Sequence, residues 1–220
     1  MRLVLACWVA LGIAACGPSV PRVRSVVSLA KLDCAECGQN LALKLSESSG
    51  VLRTRFDRRR AEIVVEADSG VDVLAAARAL SKPDEYELIL GAGQGSYRPE
   101  SPIAEGLDVV TIARDGADVP ALEAHIVAGK VTVMEFGAPW CGPCKLVDQH
   151  MAKVLAARAD VAYRKLDIGE WDTPLAKRYL GSAPALPYVV VFSKDGKEVD
   201  AFGRLDLTRL DRALGAGGAR

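Results

Sequence analysis

Two cysteine pairs, each spaced Cys-x-x-Cys, are the residues of this 220-residue sequence whose type and spacing indicate chemistry. Cys141 and Cys144 flank a Gly-Pro dipeptide, and Cys34 and Cys37 flank Ala-Glu. Two thiols at this spacing exchange disulfides, because the inner thiol can resolve a mixed disulfide formed on the outer sulfur. A zinc ribbon would instead need a second such pair roughly 15 to 20 residues away. The two pairs are much farther apart in the chain, so Cys141 and Cys144 predict a redox site.

The Cys141 pair lies between a predicted buried strand at Val131–Phe136 and a predicted helix that runs through Leu155. A thiol at a helix N-terminus faces unpaired backbone N–H groups and the positive end of the helix dipole, which stabilise the attacking thiolate. We therefore expect Cys141 to be the outer, exposed thiol and Cys144 to lie one turn inside the helix.

Strands and helices alternate through the C-terminal half of the chain. The residue types predict strands at Val109–Ile112, Val131–Phe136, Val161–Leu166, Tyr188–Phe192 and Glu198–Phe202, and helices at Ala121–Ala128, after Cys144, at Thr173–Tyr179 and at Asp206–Leu214. This order predicts an α/β fold, with a mixed sheet and helices on both of its faces.

The stretch from Val109 to Leu214 resembles the thioredoxin family. The resemblance rests on residues 133–145, which contain Trp-Cys-Gly-Pro-Cys, on Lys-Leu-Asp at 165–167 and on the segment 186–192, which begins Leu-Pro-Tyr. It implies a thioredoxin-like fold and an enzyme that needs no cofactor and acts on protein thiols and disulfides.

The same resemblance implies roles for five side chains. Cys141 is expected to be the nucleophile and Cys144 the resolving thiol. Pro187 is expected to be the cis-proline that offers backbone groups to an extended substrate, and Trp140 to shield the disulfide. Glu135 stands where the family usually carries a buried aspartate, and a buried carboxyl with a raised pKa can take the proton of the resolving thiol. A strand side chain facing solvent is the alternative for Glu135.

The first part of the chain follows the order β-α-β-β-α-β of a smaller ferredoxin-like domain. Strands are predicted at Arg24–Leu29, Val51–Phe56, Glu62–Val65 and Tyr86–Leu90, and helices at Ala35–Ser48 and Val71–Leu80. The Arg58-Arg59-Arg60 run between two of these strands is predicted to be a solvated hairpin turn.

Residues from Arg24 to Leu90 resemble heavy-metal-associated domains. The resemblance rests on the Cys34-Ala-Glu-Cys37 pair ahead of a helix and on the Gly50-Val51 that follows it. It implies that Cys34 and Cys37 bind copper(I), zinc or mercury(II), since two thiolates at a loop–helix junction can hold a soft ion. Leu32 stands where that family usually carries methionine. A redox-only pair, or a domain kept for its fold, are the alternatives.

The N-terminus reads as a targeting segment. Met1-Arg2 precedes an apolar run from Leu3 to Ala15, which is shorter than the roughly 20 apolar residues that span a membrane. Ile13-Ala-Ala-Cys16 resembles the lipobox of bacterial lipoproteins. The resemblance implies lipidation at Cys16 and anchoring to a membrane that faces the periplasm, with Gly17 favouring the outer membrane. An ordinary signal peptide, or a buried strand, are the alternatives.

The predicted organisation is a signal peptide at 1–15, a tether at 16–23, a heavy-metal-associated-like domain at 24–91, a linker at 92–106 and a thioredoxin-like domain at 107–220. The stretch from Gly91 to Pro102, at the start of this linker, is rich in glycine and is expected to be flexible. Its end-to-end distance of roughly 20 Å would let the two cysteine pairs meet. How the two domains face each other does not follow from the sequence.

The predicted function is an exported, lipid-anchored thiol–disulfide oxidoreductase. Gly-Pro between Cys141 and Cys144 resembles the reducing members of the thioredoxin family, and an upstream membrane electron donor is the expected source of electrons. Lys and Arg together number 28, as do Asp and Glu, so no excess of positive charge favours nucleic acid as a partner. The alternative function is soft-metal binding or delivery by Cys34 and Cys37, with the thioredoxin-like domain keeping those thiols reduced.

Overall fold

A computed structural model describes residues 21–82, 85–100, 102–183 and 185–218. The predicted signal peptide, the lipidation site at Cys16 and most of the predicted tether lie outside these residues. The described chain forms two sheets with helices packed on them, and each sheet belongs to one of the two predicted domains. None of the helices in this part of the chain is long and apolar enough to cross a membrane.

The N-terminal domain has the predicted ferredoxin-like order. Its elements are β1 (Arg22–Ala30), α1 (Ala35–Ser46), β2 (Val51–Asp57), β3 (Glu62–Asp68), α2 (Val73–Leu80) and β4 (Glu87–Leu90). The strands form an antiparallel sheet in the order β2-β3-β1-β4. Apolar side chains of β1 and β3, such as Leu29 and Ile63, pack against Leu41 and Leu45 of α1 to form the core.

β1 begins within the segment predicted to be the tether. Arg22 and Val23 pair with Asp68 and Ala67 of β3. The tether prediction therefore extended two residues too far, because backbone pairing with β3 continues beyond the apolar part of the strand.

The thioredoxin-like domain contains the predicted mixed sheet. Its elements are β5 (Val109–Ala113), β6 (Val131–Gly137), α3 (Gly142–Ala157), β7 (Val161–Asp167), α4 (Pro174–Tyr179), β8 (Tyr188–Phe192), β9 (Glu198–Gly203) and α5 (Leu207–Gly218). The strand order is β5-β7-β6-β8-β9, with β5, β7 and β6 parallel and β8 and β9 antiparallel. Every residue of β6 is buried, because apolar clusters cover both faces of the sheet. This strand leads directly to the Cys141 loop.

The helix predicted at Ala121–Ala128 is instead a single 3-10 turn at Leu122–His125. Only Leu122 is buried in this turn, so one apolar contact is all that holds it against the core. The chain leaves the turn at Ile126, which is extended, and the Val127 amide donates to the Thr132 hydroxyl rather than to a helical carbonyl.

The beginning of the predicted linker is not a flexible spacer. Leu32 and Tyr97 form a parallel bridge, in which the Leu32 amide donates to Ser96 and the Arg98 amide donates to Leu32. A β-carbon on Gly95 would overlap the Arg60 carbonyl, so the chain passes in direct backbone contact with the hairpin after β2. These hydrogen bonds attach residues 95–98 to the N-terminal domain next to the Cys34 loop.

The arginine run after β2 also differs from its prediction. Arg58 forms a two-point ion pair with Glu170, which is only 8% exposed, and Arg59 pairs with Asp172 at 2.6 Å. Both carboxylates belong to the thioredoxin-like domain. The turn is therefore a contact between the two domains, and of the three arginines only Arg60 makes no ion pair with a described residue.

Candidate functional site

The Cys141–Cys144 disulfide lies at the N-terminus of α3. Cys141 is the N-cap residue, and its sulfur accepts a hydrogen bond from the Cys144 amide at 3.2 Å. Pro143 occupies the first turn of α3, where its missing N–H costs no hydrogen bond. This N-terminal position directs the free backbone N–H groups and the positive helix end toward the sulfurs, as the sequence indicated.

Cys141 is not the exposed thiol that the sequence predicted. The residue is 4% exposed, and Cys144 is 2% exposed. A cavity of about 550 Å³ beside Cys141 is lined both by the thioredoxin-like domain and by Ala35, Glu36 and Phe56 of the N-terminal domain. The N-terminal domain therefore lies over the face from which a client would approach.

Glu135 lies inside the domain, behind the disulfide. The residue is 1% exposed, and its Oε1 is the one buried side-chain polar atom of the described residues that lacks a hydrogen-bond partner. A β-carbon on Gly137 would lie 3.1 Å from this oxygen and 3.3 Å from the Cys144 sulfur. Because Gly137 has no side chain, the Glu135 carboxyl and the Cys144 sulfur both have room beside it.

Two further buried groups, which the sequence analysis did not identify, surround the Glu135 carboxyl. The Tyr163 hydroxyl lies 2.6 Å from Glu135 Oε2 and 2.9 Å from Asp148 Oδ1. A phenol has only one proton to donate, so both contacts are hydrogen bonds only when one carboxyl is protonated. The spacing of four residues from Cys144 to Asp148, which places both on one helix face, is the sequence signal that could have found Asp148.

Burial and charge repulsion favour the protonated form of this cluster. Burial, followed by the repulsion of Asp148, raises the pKa of Glu135 to about 8. Burial also raises the pKa of Asp148, although the Lys165 ammonium opposes this effect. Lys165 contacts Asp148 at 2.8 Å and also pairs with Glu100 of the predicted linker. The site therefore holds a carboxyl that can exchange a proton near neutral pH.

Residues of the predicted linker cover a second cavity next to Glu135. This cavity has a volume of about 250 Å³, and its lining includes Glu135, Lys165 and residues 97–100. The cavity therefore extends from the buried Glu135 carboxyl to the side of the domain on which the linker lies.

Trp140 lines the Cys141 cavity together with Leu186, the residue before Pro187. The Trp140 indole N–H donates to the Gly169 carbonyl at 2.7 Å, and its ring lies 6.5 Å from that of Trp171. The Arg58 guanidinium of the N-terminal domain lies 4.3 Å from the Trp140 ring centroid. The Leu186–Pro187 peptide bond is cis, as the family resemblance implies.

The second cysteine pair repeats the geometry of the first. Cys34 is the N-cap residue of α1, and its sulfur accepts from the Cys37 amide at 3.4 Å. Both thiols are free and half-buried. Burial, followed by hydrogen bonding and charge repulsion from Cys34, raises the pKa of Cys37 to about 12. No group of three or more His, Cys, Asp or Glu within the described ranges could hold a metal ion, so the two sulfurs alone would be its donors.

Comparison with known proteins agrees with the geometry of the Cys141 site. Residues 120–214 match the Thioredoxin family model. Thioredoxin of Echinococcus granulosus is 37% identical over 37% of this chain and 73% of its own length. Thioredoxin of Chlamydia trachomatis is 35% identical over 35% of this chain and 72% of its own length.

Other relatives align over a smaller part of their own length. Thioredoxin H8 of Arabidopsis thaliana is 34% identical over 39% of this chain, and the chain spans 55% of that relative. Among solved structures, Fasciola hepatica thioredoxin is 30% identical, covering 41% of this chain and 84% of its own, with a TM-score of 0.35. The matched residues and the two relatives aligned over nearly three quarters of their length place this chain, through its C-terminal domain, in the thioredoxin family.

Proposed function

We propose that the protein is an exported, lipid-anchored thiol–disulfide oxidoreductase that reduces protein disulfides through Cys141 and Cys144. The observation that carries this proposal is the disulfide at the N-terminus of α3, with the unpaired Glu135 carboxyl oxygen behind its inner sulfur. The helix end stabilises a thiolate at Cys141, and the carboxyl can move a proton at Cys144.

The reaction begins from the reduced dithiol. The Cys141 thiolate attacks one sulfur of a client disulfide, so that a Cys141–client bond forms and the other client sulfur leaves as a thiolate. Glu135 takes the proton of Cys144, whose sulfur then attacks Cys141 and releases the second client thiolate. The client gains two electrons, and the protein is left with the Cys141–Cys144 disulfide. A membrane electron donor would return the protein to the dithiol.

The geometry favours redox chemistry over the alternative of soft-metal delivery by Cys34 and Cys37. A metal ion would have these two sulfurs alone as side-chain donors, since no group of three or more His, Cys, Asp or Glu among the described residues could hold one. The Cys34 side chain also packs against Gly142 of the other domain, which restricts the approach of an ion.

The two cysteines of the active site are expected to fail in different ways when each is replaced. Cys141→Ser should abolish reduction of insulin disulfides, because no nucleophile remains at the outer position. Cys144→Ser should trap mixed disulfides with clients, because the first attack still occurs and resolution does not. Non-reducing gels with mass spectrometry measure the trapped species. Trapping by Cys141→Ser, with none by Cys144→Ser, would reverse the two roles.

Glu135→Gln is expected to change both the exchange rate and the pH dependence of stability. The folded pKa of Glu135 exceeds that of an exposed carboxyl, so its contribution to stability is full below about pH 4.5 and is lost as pH rises through about 8. The variant removes that loss, and exchange should slow, because no carboxylate remains behind Cys144 to take its proton.

Urea unfolding at about pH 5 and about pH 9, on either side of this window, measures the stability effect. Between these two pH values, the free energy of unfolding should fall less in Glu135→Gln than in the unmodified protein. The size of this difference follows from the rise in the pKa of Glu135 on folding, at about 1.4 kcal/mol per pKa unit. Glu198→Gln, at an exposed position of β9, is the matched control and should behave like the unmodified protein. Equal falls in all three proteins would remove Glu135 from the proposed proton transfer.

Lipidation at Cys16 is testable from the mature N-terminus. Cys16→Ser should leave the precursor uncleaved or release the protein from the membrane fraction, because no thioether-linked lipid can form. Cys7→Ser is the matched control, since Cys7 lies in the segment removed by cleavage, and it should stay membrane-bound. Mass spectrometry of the purified mature protein gives the N-terminal residue and its mass. An unmodified N-terminus at another residue would refute the anchor.

A further inference from the structure

The two cysteine pairs meet across the interface between the domains. A β-carbon built on Gly142 would lie 2.8 Å from the Cys34 β-carbon and 3.7 Å from the Cys34 sulfur. Gly142 directly follows Cys141, so Cys34 packs against the backbone between the two cysteines of the active site. Only glycine allows this separation, because any side chain at position 142 would push the Cys34 loop away.

Hydrogen bonds hold the Cys34 loop at this place. The Ala35 amide donates to the Trp140 carbonyl at 2.9 Å, which joins the residue after Cys34 to the residue before Cys141. The Lys145 ammonium donates to the carbonyls of Asp33 at 2.8 Å and Arg98 at 3.0 Å. The contact therefore involves the backbone on both sides of the cysteines and not only their side chains.

Ion pairs at a greater distance from this contact also hold the two domains together. Arg58 pairs with the buried Glu170 and covers the Trp140 ring, and Arg59 pairs with Asp172. A partly buried ion pair with bidentate geometry and a stacked ring gives more directional restraint than an isolated surface pair. These contacts define one orientation of the N-terminal domain on the Cys141 face.

Two helix N-termini face this contact. Cys34 and Cys141 are the N-cap residues of α1 and α3. The N-terminus of each helix, with its positive dipole end and its N–H groups, therefore lies at this contact. A sulfur that carries negative charge between these two helix ends is stabilised by both. Such a charge passes from one sulfur to the next during disulfide exchange.

From this juxtaposition we propose that Cys34 and Cys37 are an intramolecular redox partner of Cys141 and Cys144, so that each chain passes electrons between its own two domains. The proposal rests on the exchange chemistry assigned above to Cys141 and Cys144. In this exchange the N-terminal domain occupies the surface of the thioredoxin-like domain that an external client would otherwise contact.

The step balances without any further reactant. The Cys34 thiolate attacks the Cys141 sulfur, a Cys34–Cys141 bond forms, and Cys144 leaves as a thiolate that takes up a proton. Cys37 loses its proton and attacks Cys34, which releases Cys141 as a thiolate. Two electrons have then moved from Cys34 and Cys37 to Cys141 and Cys144, and the reverse sequence returns them.

Cys34, rather than Cys37, is the thiol that exchanges with Cys141. Its β-carbon faces Gly142, whereas Cys37 lies one turn inside α1 and donates its amide to the Cys34 sulfur.

The full chain carrying Cys37→Ser and Cys144→Ser tests the proposal, because neither remaining thiol can resolve the mixed disulfide. Mild oxidation should link Cys34 to Cys141 within the monomer, seen after trypsin as residues 32–44 joined to residues 131–145. Tethering gives an effective concentration of about 1 mM, so at about 1 µM protein the link should form about a thousand times faster than a dimer. Only dimers or glutathione adducts at every dilution would overturn the proposal.

Two matched controls separate the proposed contact from chance oxidation. The full chain carrying Cys34→Ser and Cys144→Ser keeps Cys37 and Cys141, and it should link far more slowly; an equal rate would overturn the assignment to Cys34. In the trapping variant, Arg58→Ala should lower the rate of linking and Arg60→Ala should not, because Arg58 binds Glu170 whereas Arg60 makes no ion pair with a described residue. Equal rates for these two would show that the observed orientation is not the one that reacts.

Insulin reduction by the unmodified chain distinguishes this proposal from the proposed function. Insulin reduction without a Cys34–Cys141 link would refute the intramolecular partner alone. A link without insulin reduction would refute the reduction of external clients and leave the intramolecular exchange standing.

Discussion

The separation between Gly142 and the Cys34 β-carbon is the constraint on which the arrangement of the two domains depends. Two helices that begin with a cysteine meet end to end, and they can do so only because the residue between them has no side chain. Ion pairs of Arg58 with Glu170 and of Arg59 with Asp172 join the two domains around this contact.

The contact between the domains also buries the outer cysteine of the active site. Cys141 is buried although its position at a helix N-terminus predicts exposure, because the N-terminal domain lies over it. In this arrangement the N-terminal domain restricts the approach of another protein to Cys141. The interface thus links access to the active site with the position of the Cys34 loop. Residues 97–100 line the Glu135 cavity, and Tyr97 among them forms the bridge to Leu32 beside that loop.

The fold of each domain could be predicted largely from the sequence, because periodicity and turn residues are local signals. The buried strand before Cys141, the helix that follows it and the βαββαβ order of the first domain all agree with the structure. The helix at Ala121–Ala128 could not be excluded in this way, since its apolar residues satisfy the pattern but only Leu122 is buried.

The contacts between the domains could not be predicted, because they depend on residues distant in sequence. Arg58 reads as part of a solvated turn until Glu170 is placed opposite it. Glycine residues 91, 93 and 95 read as a flexible linker, although Gly95 is required where the chain touches the Arg60 carbonyl. Tyr163 reads as an ordinary strand residue, and only the structure places its hydroxyl between Glu135 and Asp148.

Hydrogen exchange of the Ala35 amide in the oxidised full chain tests the central claim, the docking of the two cysteine-capped helices, most directly. Ala35 is the first residue of α1, so its N–H has no partner within that helix, and the Trp140 carbonyl of the other domain accepts it. The Glu36 amide in the same turn is the internal control. We expect NMR to find the Ala35 amide protected and the Glu36 amide exchanging rapidly. Equally rapid exchange of both amides would contradict it.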